Sequence, residues 1–377
     1  MPISRGNYSR VNGMKRLFAG TAAALLAAVL LVPVHSSALS AKSAAVMDCV
    51  SGRLLFGKAA DSQSLIASTT KIMTALLVCE RCNVLDQMQI PKQAVGIEGS
   101  SMYLKEGERL SIQELLYGLM LSSGNDAAVA LALYCCGSIE EFANQMNDKA
   151  RALGMNQTHF ENPNGLDSKN HYSTAKDLAI LAAYAMENPI FSKTVSTKTI
   201  TIGNRMLRNH NKLLWLYPGA DGVKTGFTKA AGRILVSSAM QNRRRLVAVT
   251  ISDPNDWADH AAMLDQGFSQ YDLRRIVTVG DCVGYREVAG GTDARVAVLA
   301  AENFTYSVSQ EEQPQLLLPG NGFIYAPVAE GADAGFAYVL LSGKAVDKIP
   351  VVYGQTSEML QPEPKKTNRF LFWRKNA

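Results

Sequence analysis

The chain has 377 residues, 47% of them hydrophobic and 19% charged, with a formal net charge of +5. This composition excludes a disordered or fibrous chain and leaves room for one large domain with a small companion, or two or three small domains. The positive balance sits at the ends: residues 1–38 carry four basic residues and no acid, the segment after Glu363 carries five, and the body between them is near −4. That distribution gives no reason to expect nucleic-acid binding by the core.

Arg5, Arg10, Lys15 and Arg16 precede an uncharged run from Leu17 to Val32. Pro33 breaks the run, and "HSSA" ends at Ala38 with small residues. A basic start, an apolar middle and a small-residue exit predict a secretory signal over residues 1–38. The alternative is an uncleaved anchor, for which the run is short. Either reading places the body outside the cytoplasm.

Two apolar runs, "SAAVMDC" and "RLLFGK", flank Ser51-Gly52 and predict a hairpin. "STTKIMTALLVCE" predicts a helix with its apolar stripe at Ile72, Met73, Leu76 and Leu77. "LSIQELLYGLML" predicts a second, capped by Ser111 with Glu114 three residues on. "NDAAVALALYCC" is apolar on nearly every side and predicts a buried helix. "SIEEFANQMNDKARALG" opens with a Ser138–Glu141 capping box and stops at Gly154. "THFENPNGLD" is loop chemistry, and "STAKDLAILAAYAME" is a helix that ends before Pro189. From about residue 195 the pattern becomes that of strands: "VSTKTITI", "GRILVSSAM" and "RRLVAVTI". "DWADHAAMLDQGF" closes this part as a helix. Beyond about residue 275, short apolar runs among Gly, Pro and acidic turns predict a small all-β domain.

The six cysteines (Cys49, Cys79, Cys82, Cys135, Cys136 and Cys282) are too few for a disulfide framework in a chain this long, although export would permit some to oxidise. Cys79-Glu-Arg-Cys82 has metal-like spacing, but no second Cys or His pair follows at a suitable distance. It reads as packing near a helix end, and no metal or other cofactor is expected. His159, His171, His210 and His260 read as structural for the same lack of spacing, and His35 falls in the signal.

Ser-x-x-Lys occurs twice, at Ser68–Lys71 and Ser173–Lys176. The spacing places an amine one helical turn from a hydroxyl that it can activate, but the pattern is common. Ser173 and Thr174 precede a helix, with Asp177 three residues after Thr174; this reads as a cap, with Lys176 in solvent. The first match has company: Ser123-Gly124-Asn125 follows 55 residues after Ser68, and Lys224-Thr225-Gly226 a further 101 residues on. A serine is a poor nucleophile until a base takes its proton, and Lys71 can do that only as a neutral amine. Burial and a second cation, Lys224, both favour that form. Ser123 can relay a proton to the leaving group. Asn125 can bind a substrate amide and hold Lys71. Thr225 and Lys224 offer a donor and a charge for a substrate carboxylate. Gly226 lets an edge strand lie close to an extended peptide, and the backbone N–H groups of Ser68 and Phe227 would form an oxyanion hole.

The order S-x-x-K, S-x-N, K-T-G is that of penicillin-binding proteins and serine β-lactamases. "ASTTKIMTALL", "SSMYLKEGERLSIQELLYGLMLSSGNDAA", "THFENPNGLD", "YSTAKDLAILAAYA" and "DGVKTGFTKAAGRILVSSA" narrow the resemblance to low-molecular-mass D-alanyl-D-alanine carboxypeptidases, the S11 serine peptidases, over residues 42–350. The resemblance implies an α/β (α+β) fold: an antiparallel sheet between helical layers over residues 39–275, then a β-sandwich over 276–355. It implies removal of the terminal D-alanine from peptidoglycan stem pentapeptides through an acyl-serine, and acylation by penicillins. It assigns Ser68 as nucleophile and Lys71 as base, with Ser123 and Asn125 as the second motif and Lys224, Thr225 and Gly226 as the third. It also implies a membrane-associating tail, here residues 356–377, where Phe370, Leu371 and Trp373 lie among basic residues.

Three positions depart from that pattern. Ile66 and Ser122 stand where proline is common. Some relatives place an arginine after the strand that follows K-T-G, where this chain has Asp259 and His260. A β-lactamase reading would need a placed carboxylate, for which Glu161 is the candidate. A cross-link endopeptidase would use the same motifs. A purely binding envelope protein would need no Ser–Lys pair.

Overall fold

A computed structural model describes residues 39–320 and 322–361. The predicted signal over 1–38 and most of the predicted tail lie outside the described residues. Residues from Ser40 onward form one compact unit, and it is described below.

Strands β1 (Ser43–Asp48) and β2 (Leu54–Lys58) form the expected hairpin. A 3-10 turn (Ala67–Thr70) runs directly into α1 (Lys71–Arg81). The short pair β3 (Gln87–Gln89) and β4 (Arg109–Ser111) leads to α2 (Ile112–Leu121), α3 (Asn125–Cys136) and α4 (Ile139–Ala152). Ser111 and Glu114 close both halves of a capping box on α2. Ser138 caps α4 from one side only, accepting from Glu141 N while the Glu141 carboxylate goes to Gln145.

After a long loop come α5 (Ala175–Ala185) and α6 (Pro189–Ser196), then the hairpin of β5 (Thr199–Ile202) and β6 (Arg205–Arg208). Helix α6 takes the first two residues, Val195 and Ser196, of the strand expected from residue 195, and the strand itself begins at Thr199. Asn188 accepts from the N–H groups of Ile190 and Phe191, and Pro189 occupies the first helical turn, so "NPIF" starts a helix as well as ending one. A single turn, α7 (Leu213–Leu216), precedes β7 (Ala220–Thr228), β8 (Gly232–Gln241), β9 (Arg244–Ile251) and α8 (Asp256–Gln270).

The main sheet is antiparallel, in the order β2-β1-β9-β8-β7, which leaves β7 on an edge. Ala45, Met47, Val247, Val249 and Ile251 turn one face into the core shared with α1–α6. Val46, Leu55 and Leu246 meet α8 on the other face, close around Gly267. Burial on both faces explains why β9 reads as a continuous apolar run instead of an alternating one. The sheet between helical layers is the expected architecture.

The chain then turns to strands only: β10 (Tyr271–Val277), β11 (Cys282–Ala289), β12 (Arg295–Ala300), β13 (Phe304–Ser309), β14 (Gln315–Leu317), β15 (Phe323–Tyr325), β16 (Asp333–Leu341) and β17 (Lys344–Tyr353). They form a six-stranded sheet, β14-β16-β17-β12-β11-β15, and the pair β10-β13, around a small core of Val277, Val298, Val339, Ile349 and Val351. Two arginines, Arg244 buried and Arg53 partly buried, join this region to the first. Arg244 Nε donates to Asp48 Oδ2 at 2.6 Å and its Nη2 to Ser307 Oγ at 3.0 Å. Arg53 reaches both carboxylate oxygens of Glu312 at 2.7 Å.

The cysteines correct one expectation. Cys79 is buried packing, its thiol pushed up to about 12 by desolvation. Cys82 instead forms a disulfide with Cys135, 53 residues away, tying the end of α1 to the end of α3. The Cys-x-x-Cys spacing hides this because the partner comes from another helix.

Candidate active site

Ala67, buried and at a left-handed φ of 45°, starts the turn that presents Ser68. Thr69 ties the turn to Ile66 O through its N (3.1 Å) and its Oγ1 (2.6 Å). Ser68 is half-buried and lines an open cleft of about 810 Å³, while Lys71, three residues on, is fully buried at the first turn of α1. Lys71 Nζ lies 3.0 Å from Ser68 Oγ, 2.7 Å from Asn125 Oδ1 and 2.5 Å from Asn164 O. These contacts suit a neutral amine: two N–H groups for the two carbonyl oxygens and a lone pair for the Ser68 hydroxyl. Burial holds the Lys71 amine well below the ordinary lysine range, and the neighbouring Lys224 cation lowers it further, against a smaller opposing pull from Asp126.

The loop over residues 159–172 supports this turn from behind. His171 Nδ1 accepts from Glu161 N (3.0 Å), which leaves Nε2–H to donate to Thr70 Oγ1 (2.7 Å). Burial brings His171 down to about 4, so it is neutral there. Thr74 Oγ1 donates to Pro163 O. Gly165, at φ +84°, lies so near that a Cβ would sit 1.9 Å from Ala67 O; only glycine fits.

Between α2 and α3, Ser123 takes a left-handed φ of 59° and lines the cleft, almost fully buried. Among the described residues its hydroxyl has no hydrogen-bond partner. Asn125 opens α3, with its N donating to Ser100 O (2.7 Å) and its Nδ2 to Glu98 O (2.5 Å). This leaves Oδ1 aimed at Lys71. Asp126 collects Ser101 Oγ (2.6 Å), Met102 N (3.1 Å) and Leu104 N (3.0 Å), fixing the loop that borders the cleft.

Edge strand β7 brings the third cluster. Lys224 is buried and donates to the carbonyl of its neighbour Thr225 at 2.7 Å; burial brings it down to about 7. It therefore acts on Lys71 from within the wall, and the surface it offers a substrate is less than expected. Gly226 lines the cleft on this edge strand and also serves the fold. A Cβ there would meet Ile66 O, Ser68 N and Thr69 Cγ2, each at 3.3 Å, so this glycine lets β7 close on the nucleophile turn itself. Thr225 and the exposed Phe227 line the cleft.

Four features were not legible in the motifs: the Asn164 carbonyl, His171, Gly165, and a group of Arg233, Asp256 and Trp257 that lines the cleft beside Thr225. The phrase "HFENPNGLD" signalled Asn164 and Gly165 only as a loop, and His171, beyond it, read only as structural. Glu161 is bound by Ser168 Oγ and Asn170, interactions that lower its carboxyl, and it does not line the cleft. Asp259 accepts from Ser40 N and Oγ, and His260 is buried between Ser237 and Thr250, so neither reaches the cleft. Ser173 Oγ bonds to Thr158 Oγ1 at 2.7 Å, Thr174 Oγ1 caps α5 by accepting from Asp177 N, and Lys176 pairs with Asp61 at the surface.

A fully buried lysine whose burial favours the neutral amine, beside a cleft serine, with a hydroxyl, an amide and an edge strand around them, defines a serine acyl-transfer site. The family model described as D-alanyl-D-alanine carboxypeptidase matches residues 31–255, and that described as penicillin-binding protein 5, C-terminal domain, matches residues 271–359. D-alanyl-D-alanine carboxypeptidase DacF of Bacillus subtilis is 33% identical over 329 residues, covering 82% of this chain and 84% of its own. DacC of Escherichia coli is 30% identical, covering 86% of each chain. The structure of penicillin binding protein 5 from Haemophilus influenzae superposes with a TM-score of 0.75 at 28% identity, over 86% of this chain and 99% of that one. This chain belongs to the D-alanyl-D-alanine carboxypeptidase family of serine peptidases.

Proposed function

We propose that this chain removes the terminal D-alanine from peptidoglycan stem peptides. The observation that carries the reading is the Lys71 amine, fully buried, 3.0 Å from Ser68 Oγ at the cleft floor. Lys71 takes the Ser68 proton as Oγ attacks the carbonyl carbon between the two D-alanines. The oxyanion that forms is met by the backbone N–H groups of Ser68 and Phe227. The C–N bond then breaks, Ser123 passes the proton to the departing amine, and D-alanine leaves. Water, deprotonated by Lys71, opens the acyl-serine and restores both groups. Asn125 holds Lys71 and the substrate amide. Lys224 supplies the second cation, Thr225 a donor for the terminal carboxylate, and Gly226 the close approach of β7. Penicillins acylate the same serine.

Residues 39–275 are the catalytic part in this reading, and 276–355 a β-rich companion. The protein is exported by its N-terminal segment, acts at the outer face of the cytoplasmic membrane or in the wall space, and can touch the membrane through its tail. No helix among the described residues is long and apolar enough to cross a membrane. The test is release of D-alanine from a peptide ending in L-Lys-D-Ala-D-Ala. Wild type is expected to release it and Ser68→Ala to release none; a wild type that releases none would overturn the reading.

A further inference from the structure

The geometry points to Arg233 as the group that receives the substrate's terminal carboxylate. The inference rests on the peptidase reading. Asp259 and His260, at the place of an arginine in some relatives, are occupied elsewhere in the fold. Lys224 is buried and bonded to a backbone carbonyl. A cation that meets a carboxylate in the cleft must come from another element.

Arg233 comes from β8, the strand hydrogen-bonded to β7. Phe227 and Arg233 are direct cross-strand partners, so they share a sheet face, with Thr225 two residues along that face. All three line the cleft with Ser68. Arg233 is also held in place. Its Nε donates to Asp256 Oδ2 at 3.1 Å, and its Nη2 to Oδ1 at 2.8 Å and Oδ2 at 2.7 Å, in a two-pronged pair at the start of α8. Its guanidinium carbon is 5.7 Å from the centre of the Trp257 ring. Asp256 is buried while the Arg233 side chain is 45% exposed, so the pair presents cation outward. Nη1 has no hydrogen-bond partner among the described residues. A planar fork, fixed on one edge and open on the other, suits a second carboxylate. Arg208, His210 and Lys212 also line the cleft, but Arg208 stacks on Trp215 at 5.2 Å, and none stands beside Thr225 on the sheet.

The experiment compares wild type, Arg233→Ala and Arg233→Lys, with Arg208→Ala as a control. The second-order acylation rate is read by intact mass with benzylpenicillin and with its methyl ester, which lacks the carboxylate charge. The same proteins are assayed for D-alanine release, and their thermal unfolding confirms that each is folded. Arg233→Ala is expected to lose about ten- to a hundredfold on the free acid, the scale of a charge-assisted contact, and to change the ester rate less than about threefold. Arg233→Lys should recover part of the loss, as should added guanidinium ion. Equal losses on acid and ester, no loss on the acid, or an acid-specific loss in Arg208→Ala instead would overturn the assignment. The penicillin arm reads Arg233 even if no D-alanine is released, so failure of the peptidase reading would be seen separately.

Discussion

Ser68 and Ser173 each precede a lysine by three residues, and the fold treats the two pairs in opposite ways. Ser173 is buried and bonded to Thr158, and its backbone bridges to Ser64. Lys176 lies at the surface, opposite Asp61 at 3.1 Å, an exposed pair worth little. At the other site the burial is reversed. The serine meets a cleft, and the lysine is fully enclosed by two carbonyl oxygens and a second amine's field. Spacing brings a hydroxyl and an amine into reach; only enclosure makes the amine a base. At Lys71 desolvation and the Lys224 charge outweigh the opposing pull of Asp126, whereas Lys176 is half exposed beside the Asp61 carboxylate.

The largest expected effect removes the base. Lys71→Met should lower kcat/KM for D-alanine release by roughly 10²- to 10⁴-fold, while Lys176→Met should leave it within about twofold. Steady-state kinetics on both proteins checks this; comparable losses would erase the distinction between the pairs.

The next effect is on pH dependence. The rising limb of kcat/KM reports loss of the Lys71 proton, and should lie well below the ordinary lysine range. Lys224 pushes that pKa down by like-charge repulsion. Lys224→Gln removes the repulsion, so the Lys71 pKa rises and the limb moves to higher pH. A limb that stays in place, or moves to lower pH, would contradict the role given to Lys224.

The smallest effect concerns the second pair as a cap. Thr174→Ala removes the bond to Asp177 N at the start of α5 and should cost about 1 kcal/mol of stability. Acylation should be unchanged. Denaturant unfolding and the acylation rate together test it, and a large loss of acylation with normal stability would return chemical importance to this segment.

Much of this contrast was readable before the fold. Ser111 with Glu114 and Thr174 with Asp177 act within one helical turn, so their sequence neighbours already determine what they do. The three motifs were readable from residue type and order: the first two open helices, and the third lies within β7. What stayed hidden involves backbone atoms or distant partners. The Asn164 carbonyl reaches Lys71 from 93 residues away and carries no side-chain signal. Cys82 read as packing near a helix end, and its disulfide partner, Cys135, comes from α3, 53 residues away. Gly226 was read as serving the substrate, and its close neighbour is the nucleophile turn, a contact between elements that periodicity does not encode.

The most direct test of the central claim is intact-mass spectrometry of residues 39–364 after incubation with benzylpenicillin, with Ser68→Ala and Ser173→Ala in parallel. Wild type and Ser173→Ala should each carry one adduct that persists over hours, and Ser68→Ala should carry none. An adduct that survives Ser68→Ala, or is lost in a folded Ser173→Ala, would contradict the assignment of the enclosed pair as the reactive one.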